Sequence, residues 1–237
     1  MRKSLYVVLM AVALAPLVSG CVFSPKKNTT EQKDPPLEDN TTPQLAVKRF
    51  IHAYEQKKAP EYQGMFTGDF TYEFSTSTDP TLVTQYSTGW FKNDEKESSS
   101  HLFNGYTPPG GVTLPAATSI DINLATTIPT DDPGSQDPTT HKILTTRVDG
   151  NITVPQSGAE PLTYVITNNL NVFYLVRGDV AVNLDSTQPA DQNHWYIYRW
   201  VDLSEAAAPA PAGGLRTASA EPGLTPLTWG HLRADWR

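Results

Sequence analysis

The hydrophobic period changes once along this chain, near Ser98, and that change restricts it to folds whose helices and strands are segregated in sequence. Before Ser98 the spacing is helical. Thr42-Pro43 supplies a capping hydroxyl and a proline at the first helical position. Val47, Phe50, Ile51 and Tyr54 then form one apolar stripe, with Lys48, Arg49, Glu55 and Lys57 off it. A second, short helix is expected from Pro60, carrying Tyr62, Met65 and Phe66 before Gly68 ends it. Phe70, Tyr72 and Phe74 alternate with Thr71, Glu73 and Ser75, the pattern of a half-buried strand. Asp79-Pro80 repeats the cap-and-proline signal, and Leu82, Val83, Tyr86 and Trp90 give a third helix. Beyond Ser98 the segments are strand-like. Ile120, Ile122 and Leu124 alternate with polar neighbours, and Ile143 to Val154 contains Asp149-Gly150, which offers a tight hairpin turn. Tyr164 to Val176 is turned by Arg177-Gly178-Asp179 into Val180 to Leu184, and Trp195 to Val201 closes the set. The class expected is α+β.

The two ends differ from this body. A basic start (Arg2, Lys3), an apolar run from Leu5 to Val18 and small residues before Cys21 describe a secretory signal peptide. The run is shorter than the ~20 apolar residues that span a bilayer. Val18-Ser19-Gly20-Cys21 resembles a bacterial lipobox. That resemblance implies cleavage between Gly20 and Cys21 and lipidation of Cys21, with the membrane as a partner through that lipid. Val22 directs such a lipoprotein to the outer membrane of the cell envelope, facing the periplasm or the cell surface. The only cysteine is then consumed, so no disulfide forms and an apolar core must stabilise the fold. The boundaries expected are a signal peptide at 1–20, a lipidated flexible tether at 21–41, the folded domain at 42–203, an Ala/Pro/Gly-rich linker at 204–224 and an amphipathic tail at 225–237. Trp229, Leu232 and Trp236 share one face of that tail, and a helix of ~10 residues needs a surface to dock on.

Net charge is −7, and loss of Arg2 and Lys3 with the signal leaves 16 basic against 25 acidic residues. Such a surface repels phosphate backbones, so nucleic acid is not expected as a partner. Three phrases point to a family. Ala46-Val47-(x2)-Phe50-(x3)-Tyr54, Phe66-(x3)-Phe70 and Trp195-(x)-Ile197-(x2)-Trp200-(x)-Asp202 resemble the opening helix, the entry to the first strand and the closing strand of nuclear transport factor 2-like proteins. The likeness covers about residues 43–203 and departs most over 117–185. It implies N-terminal helices packed on a curved antiparallel sheet, a cone with an apolar cavity open at one end. The chain also resembles a bacterial lipoprotein group that joins a lipobox, this domain and a Thr-Trp-Gly phrase, here Thr228-Trp229-Gly230. That likeness implies no activity. The residues placed on the cavity wall are Tyr54, Phe70, Tyr72, Trp90, Tyr164 and Trp195.

Some cone proteins are isomerases or cyclases, and their chemistry needs a carboxylate base facing a hydroxyl inside the cavity. Asp69, Glu73 and Asp121 flank or alternate with the inward apolar residues, so no carboxylate is expected there. His52, His101, His141, His194 and His231 are scattered without metal-ligand spacing, and His194 is the best of them for acid–base work. Asp131, Asp132 and Asp137 share a polar loop but lack the ligand ladder of a calcium site. No serine lies in a nucleophile motif. The sequence therefore points to no catalytic residue, metal or cofactor. Its first reading is a binding module for a small hydrophobic ligand or an envelope protein. The alternatives are an isomerase- or dehydratase-like enzyme in the cavity and a structural subunit that forms a homodimer through its sheet. On the last strand, Tyr196, Tyr198 and Trp200 are expected on one face and Trp195, Ile197, Arg199 and Val201 on the other.

Overall fold

A computed structural model describes residues 35–125, 128–135, 137–204, 224–226 and 229–237. The chain divides into two units, Met1–Pro35 and Pro36–Arg237. Gly20, Cys21, the signal peptide, most of the tether, nearly all of the linker and Thr228 lie outside the described residues. Every helix and strand among the described residues belongs to the second unit.

Helix α1 (Pro43–Glu55) begins as the sequence indicates, with Thr42 Oγ1 accepting from Leu45 N at 3.2 Å and Pro43 in the first turn. It buries Val47, Phe50, Ile51 and Tyr54. Residues assigned to the tether already belong to the packed unit. Trp195 N donates to Asn40 O, Asn40 Nδ2 donates to Trp195 O, and Arg49 donates to Glu38 O.

Helix α2 (Ala59–Gln63) carries Tyr62 but stops before Met65. Phe66 instead opens strand β1 (Phe66–Glu73), because the backbone there is drawn into pairing with Ile197. Helix α3 (Pro80–Gln85) is likewise shorter than its pattern, and Trp90 sits on strand β2 (Trp90–Phe91) opposite Tyr72.

Helix α4 (Lys92–Asn104) has no counterpart among the elements expected from sequence. Its buried face is Lys92, Glu95, Ser98, Ser99, Leu102 and Phe103. The helical period is present, but it is written largely in polar residues that hydropathy does not register.

The remaining strands are β3 (Ser119–Leu124), β4 (Thr130–Asp131), β5 (His141–Gln156), β6 (Ala159–Arg177), β7 (Trp195–Asp202) and β8 (Leu224–Pro226). They form one curved sheet in the order β2-β1-β7-β6-β5-β3, with β4 on β5 and β8 on β6. The α+β expectation holds, with one correction: the sheet is mixed, since β1 runs parallel to β7 and β8 parallel to β6. Asp149-Gly150 is not a turn. Gly150 lies buried inside β5, where a Cβ would come within 3.0 Å of Asp121 O on β3. The hairpin closes at Ser157-Gly158, with Gly158 at φ 74°. Val180 to Leu184 is not a strand either. It is a turn and bend segment anchored by the Arg177–Asp179 pair at 2.7 Å.

A bulge shapes β7. Tyr174 pairs with Arg199 and Leu175 with Ile197, so Tyr198 is passed over. Alternation therefore restarts, and Ile197 and Trp200 both enter the core, at 0% and 1% exposure. The single face expected to carry Tyr196, Tyr198 and Trp200 together does not exist.

Helix α5 (Trp229–Asp235) completes the unit, burying Trp229, Leu232 and Arg233. Trp236, just beyond it, is also buried.

Candidate functional site

Residues 229–237 pack between α1, α4 and the sheet. Trp229 lies 5.4 Å from Tyr54 of α1 and 5.6 Å from Trp200 of β7, ring centre to ring centre. Arg233 enters one helical turn further on. Its guanidinium stands 4.0 Å from the Trp200 ring, 4.5 Å from Tyr72 and 5.1 Å from Trp229. A desolvated cation over such faces gains roughly 2 kcal/mol.

The counter-charge is Glu95, from the polar face of α4. Arg233 Nε donates to Glu95 Oε2 at 2.6 Å, and both side chains are 2% exposed. Trp90 Nε1 donates to the same oxygen at 3.0 Å, and the Tyr62 hydroxyl donates to Oε1 in a short bond. Burial works most strongly against the charge on Arg233, but Glu95 and the surrounding Tyr62, Tyr72 and Tyr54 oxygens together outweigh it, so the guanidinium holds its proton above the ordinary range. Burial first, and Glu95 second, push the Tyr62 hydroxyl up; burial alone leads the rise at Tyr54. None of these phenols ionises near neutral pH.

Two buried acids border the chamber. Asp202 accepts from Ser204 N at 2.8 Å and from the Tyr72 hydroxyl at 3.3 Å. Asp79, on the turn before α3, meets His231 Nδ1 at 2.7 Å. Burial raises the Asp202 carboxyl above its usual value, more than the Ser204 bonds lower it. The folded state therefore holds an extra proton between the ordinary and the raised values, and stability falls as pH rises through that window. Asp202→Asn is expected to flatten this slope, which melting curves taken from about pH 4 to 7 would register. An unchanged slope would mean that other groups carry it.

Of the six residues placed on a cavity wall, the structure gathers Tyr54, Tyr72 and Trp90 around the Glu95–Arg233 pair. Phe70 packs on Phe66 at 4.2 Å, and Trp195 starts β7 beside Asn40. Tyr164 is elsewhere: with Leu114, Pro115, Val154, Leu162 and Trp236 it lines an apolar groove of about 690 Å³. Sequence reasoning does not find Glu95 or Arg233. Glu95 lies on helix α4, whose polar face hides its period, and no period in the sequence marks an arginine that turns inward.

The other candidates stay apart. Glu73 is exposed and pairs with Arg199, and Asp69 and Asp121 are exposed. His194 bonds Asp191 within its loop at 2.7 Å. Asp132 accepts from Gly134 N and the Tyr198 hydroxyl, Asp131 pairs with Lys142, and Asp137 caps Thr139. Asp131, Asp132 and Asp137 are thus engaged by their own surroundings. Among the described residues no three His, Cys, Asp or Glu side chains converge on a metal position.

No family model matches the sequence, and no curated protein matches it significantly. Solved structures do resemble it in fold. A candidate aromatic ring hydroxylase from Novosphingobium aromaticivorans aligns at 13% identity, covering 74% of this chain and 93% of its own, with a TM-score of 0.44. A ketosteroid isomerase-like protein from Erwinia carotovora aligns at 11% over 69% of this chain and 94% of its own, with a TM-score of 0.39. A nuclear transport factor 2-like protein of unknown function in nutrient uptake from Rhodospirillum rubrum gives 8%, 69%, 98% and 0.38. Likeness at this level says nothing of chemistry.

Proposed function

We propose that this protein is a bacterial envelope lipoprotein, anchored through a lipid on Cys21, whose folded domain is a non-catalytic binding module for a small apolar ligand or a partner protein. The observation that carries the second half is the state of Glu95. A general base needs a free lone pair facing substrate in an open site. Glu95 instead takes hydrogen bonds from Tyr62, Trp90 and Arg233 beneath Trp229. The groove beside Tyr164 supports the ligand reading, since an apolar concavity of about 690 Å³ is within the usual size for small-molecule sites. The anchor rests on Val18-Ser19-Gly20-Cys21, and Val22 favours the outer membrane.

Native mass spectrometry of the purified chain, before and after denaturation, tests the module. A small molecule released on unfolding is expected, and Leu162→Trp, which fills the groove, should abolish its retention without lowering the melting temperature. Turnover of hydrophobic carbonyl substrates would overturn the reading. For the anchor, Cys21→Ala is expected to remove metabolic palmitate labelling and shift the protein from the membrane to the soluble fraction. Labelling that survives the substitution would refute lipidation there.

A further inference from the structure

The C-terminal segment is held in the way a receptor holds a peptide. Its strand β8 adds in parallel to β6, opposite Thr163, Tyr164 and Val165. Three side chains of the body then reach its backbone. Asn169 Oδ1 accepts from Trp229 N at 3.1 Å, Ser98 Oγ donates to Arg233 O at 2.9 Å, and His101 Nδ1 meets Trp236 O at 2.8 Å. Three of its ionisable side chains meet carboxylates already in place. Arg233 meets Glu95 at 2.6 Å, Arg237 meets Asp94 at 2.5 Å, and His231 meets Asp79 at 2.7 Å. Trp229 and Trp236 supply the buried apolar anchors. The fit is incomplete: Arg233 Nη2 and Trp229 Nε1 are buried without an acceptor among the described residues. Each such donor weakens the hold on the segment. Residues 205–223 join this segment to Ser204, a connection long enough for the segment to reach a neighbouring molecule.

We propose that the chamber formed by Tyr54, Tyr72, Glu95 and Trp200 is a peptide-recognition site, occupied here by the chain's own residues 224–237, and that it accepts the same segment from a second copy of the chain. Each of these contacts lies between the segment and the body, so each is equally available to a segment supplied in trans. The occupant is specified by chemistry: an extended stretch for β6, then one short helix presenting indole and guanidinium to Tyr54 and Glu95, and a buried Trp236 whose carbonyl meets His101 of α4. The proposal rests on the binding-module reading and names the partner that the chamber fits.

The test uses the full-length chain carrying a protease site within residues 205–223, folded first and then cut. Isotopically light and heavy cut samples are mixed and followed by native mass spectrometry. Light bodies carrying heavy segments are expected to accumulate to a statistical mixture. A fluorescent synthetic peptide of residues 224–237 should enter saturably, and its Arg233→Ala form should bind roughly tenfold or more weakly. Segments that stay with their original bodies until the protein melts would overturn the proposal. So would a cut that abolishes near-ultraviolet circular dichroism which added peptide does not restore. A cut protein that fails to exchange, yet still releases a small molecule from the Tyr164 groove on unfolding, would refute the exchange and leave the binding module standing.

Discussion

Arg233→Met should destabilise the protein by about 3–5 kcal/mol, because it strands Glu95 as a buried charge with no cation. In a domain of this size such a loss lowers the melting temperature by roughly 10 °C. The apolar stem of methionine still fills much of the space between Tyr72, Trp200 and Trp229, so the penalty is mainly electrostatic. Adding Glu95→Gln should recover most of the loss, since the amide oxygen still accepts from Trp90, its NH2 can donate to the Tyr62 hydroxyl, and it carries no charge to desolvate. Thermal melts of the two single variants and the double variant form a complete cycle. Additive losses would show that the two groups do not act as a pair.

Removing residues 224–237 is expected to cost more still. The deletion takes away Trp229, Leu232 and Trp236, all at 2% exposure or less, and opens Tyr54, Tyr72 and Trp200 to water. A single buried tryptophan truncated to alanine costs about 3–5 kcal/mol, so the deletion should leave a body that still folds but is barely stable at room temperature. A melting temperature unchanged from the full chain would contradict the buried positions of all three residues. The same deletion should also raise binding of a hydrophobic dye, because the uncovered wall is aromatic.

Much of the architecture is legible wherever burial is expressed by apolar residues. The cap at Thr42, the α1 stripe through Val47, Phe50 and Tyr54, and the alternation of Ile120 with Ile122 all report directly on what faces the core. The misses have physical reasons. Helix α4 buries Lys92, Glu95, Ser98 and Ser99, and local pattern cannot reveal a polar residue that a distant one satisfies. Lys92, for example, is satisfied by Phe66 O and Asp185. Asp149-Gly150 imitates a turn because glycine is needed there for another purpose, the close approach of β3. The bulge at Tyr198 reverses which aromatics face inward, and nothing local marks it. At the candidate site, Tyr54, Tyr72 and Trp90 are readable as interior aromatics. The charged pair at its centre joins positions 95 and 233, and only the tertiary fold brings them together.

That separation has a consequence for how the molecule comes into being. The inner strand β1 waits for β7, Tyr72 bonds Asp202 across 130 positions, and Glu95 meets Arg233 across 138. Contacts of such long range form slowly, and the Glu95–Arg233 pair cannot form on a nascent chain until the segment around Arg233 has been released. The carboxylate and aromatic wall assembled from the first half stay uncovered until then. Residues 229–237 therefore close the aromatic wall last: a product terminated before Trp229 would leave Glu95 without its cation and Tyr54, Tyr72 and Trp200 without their cover.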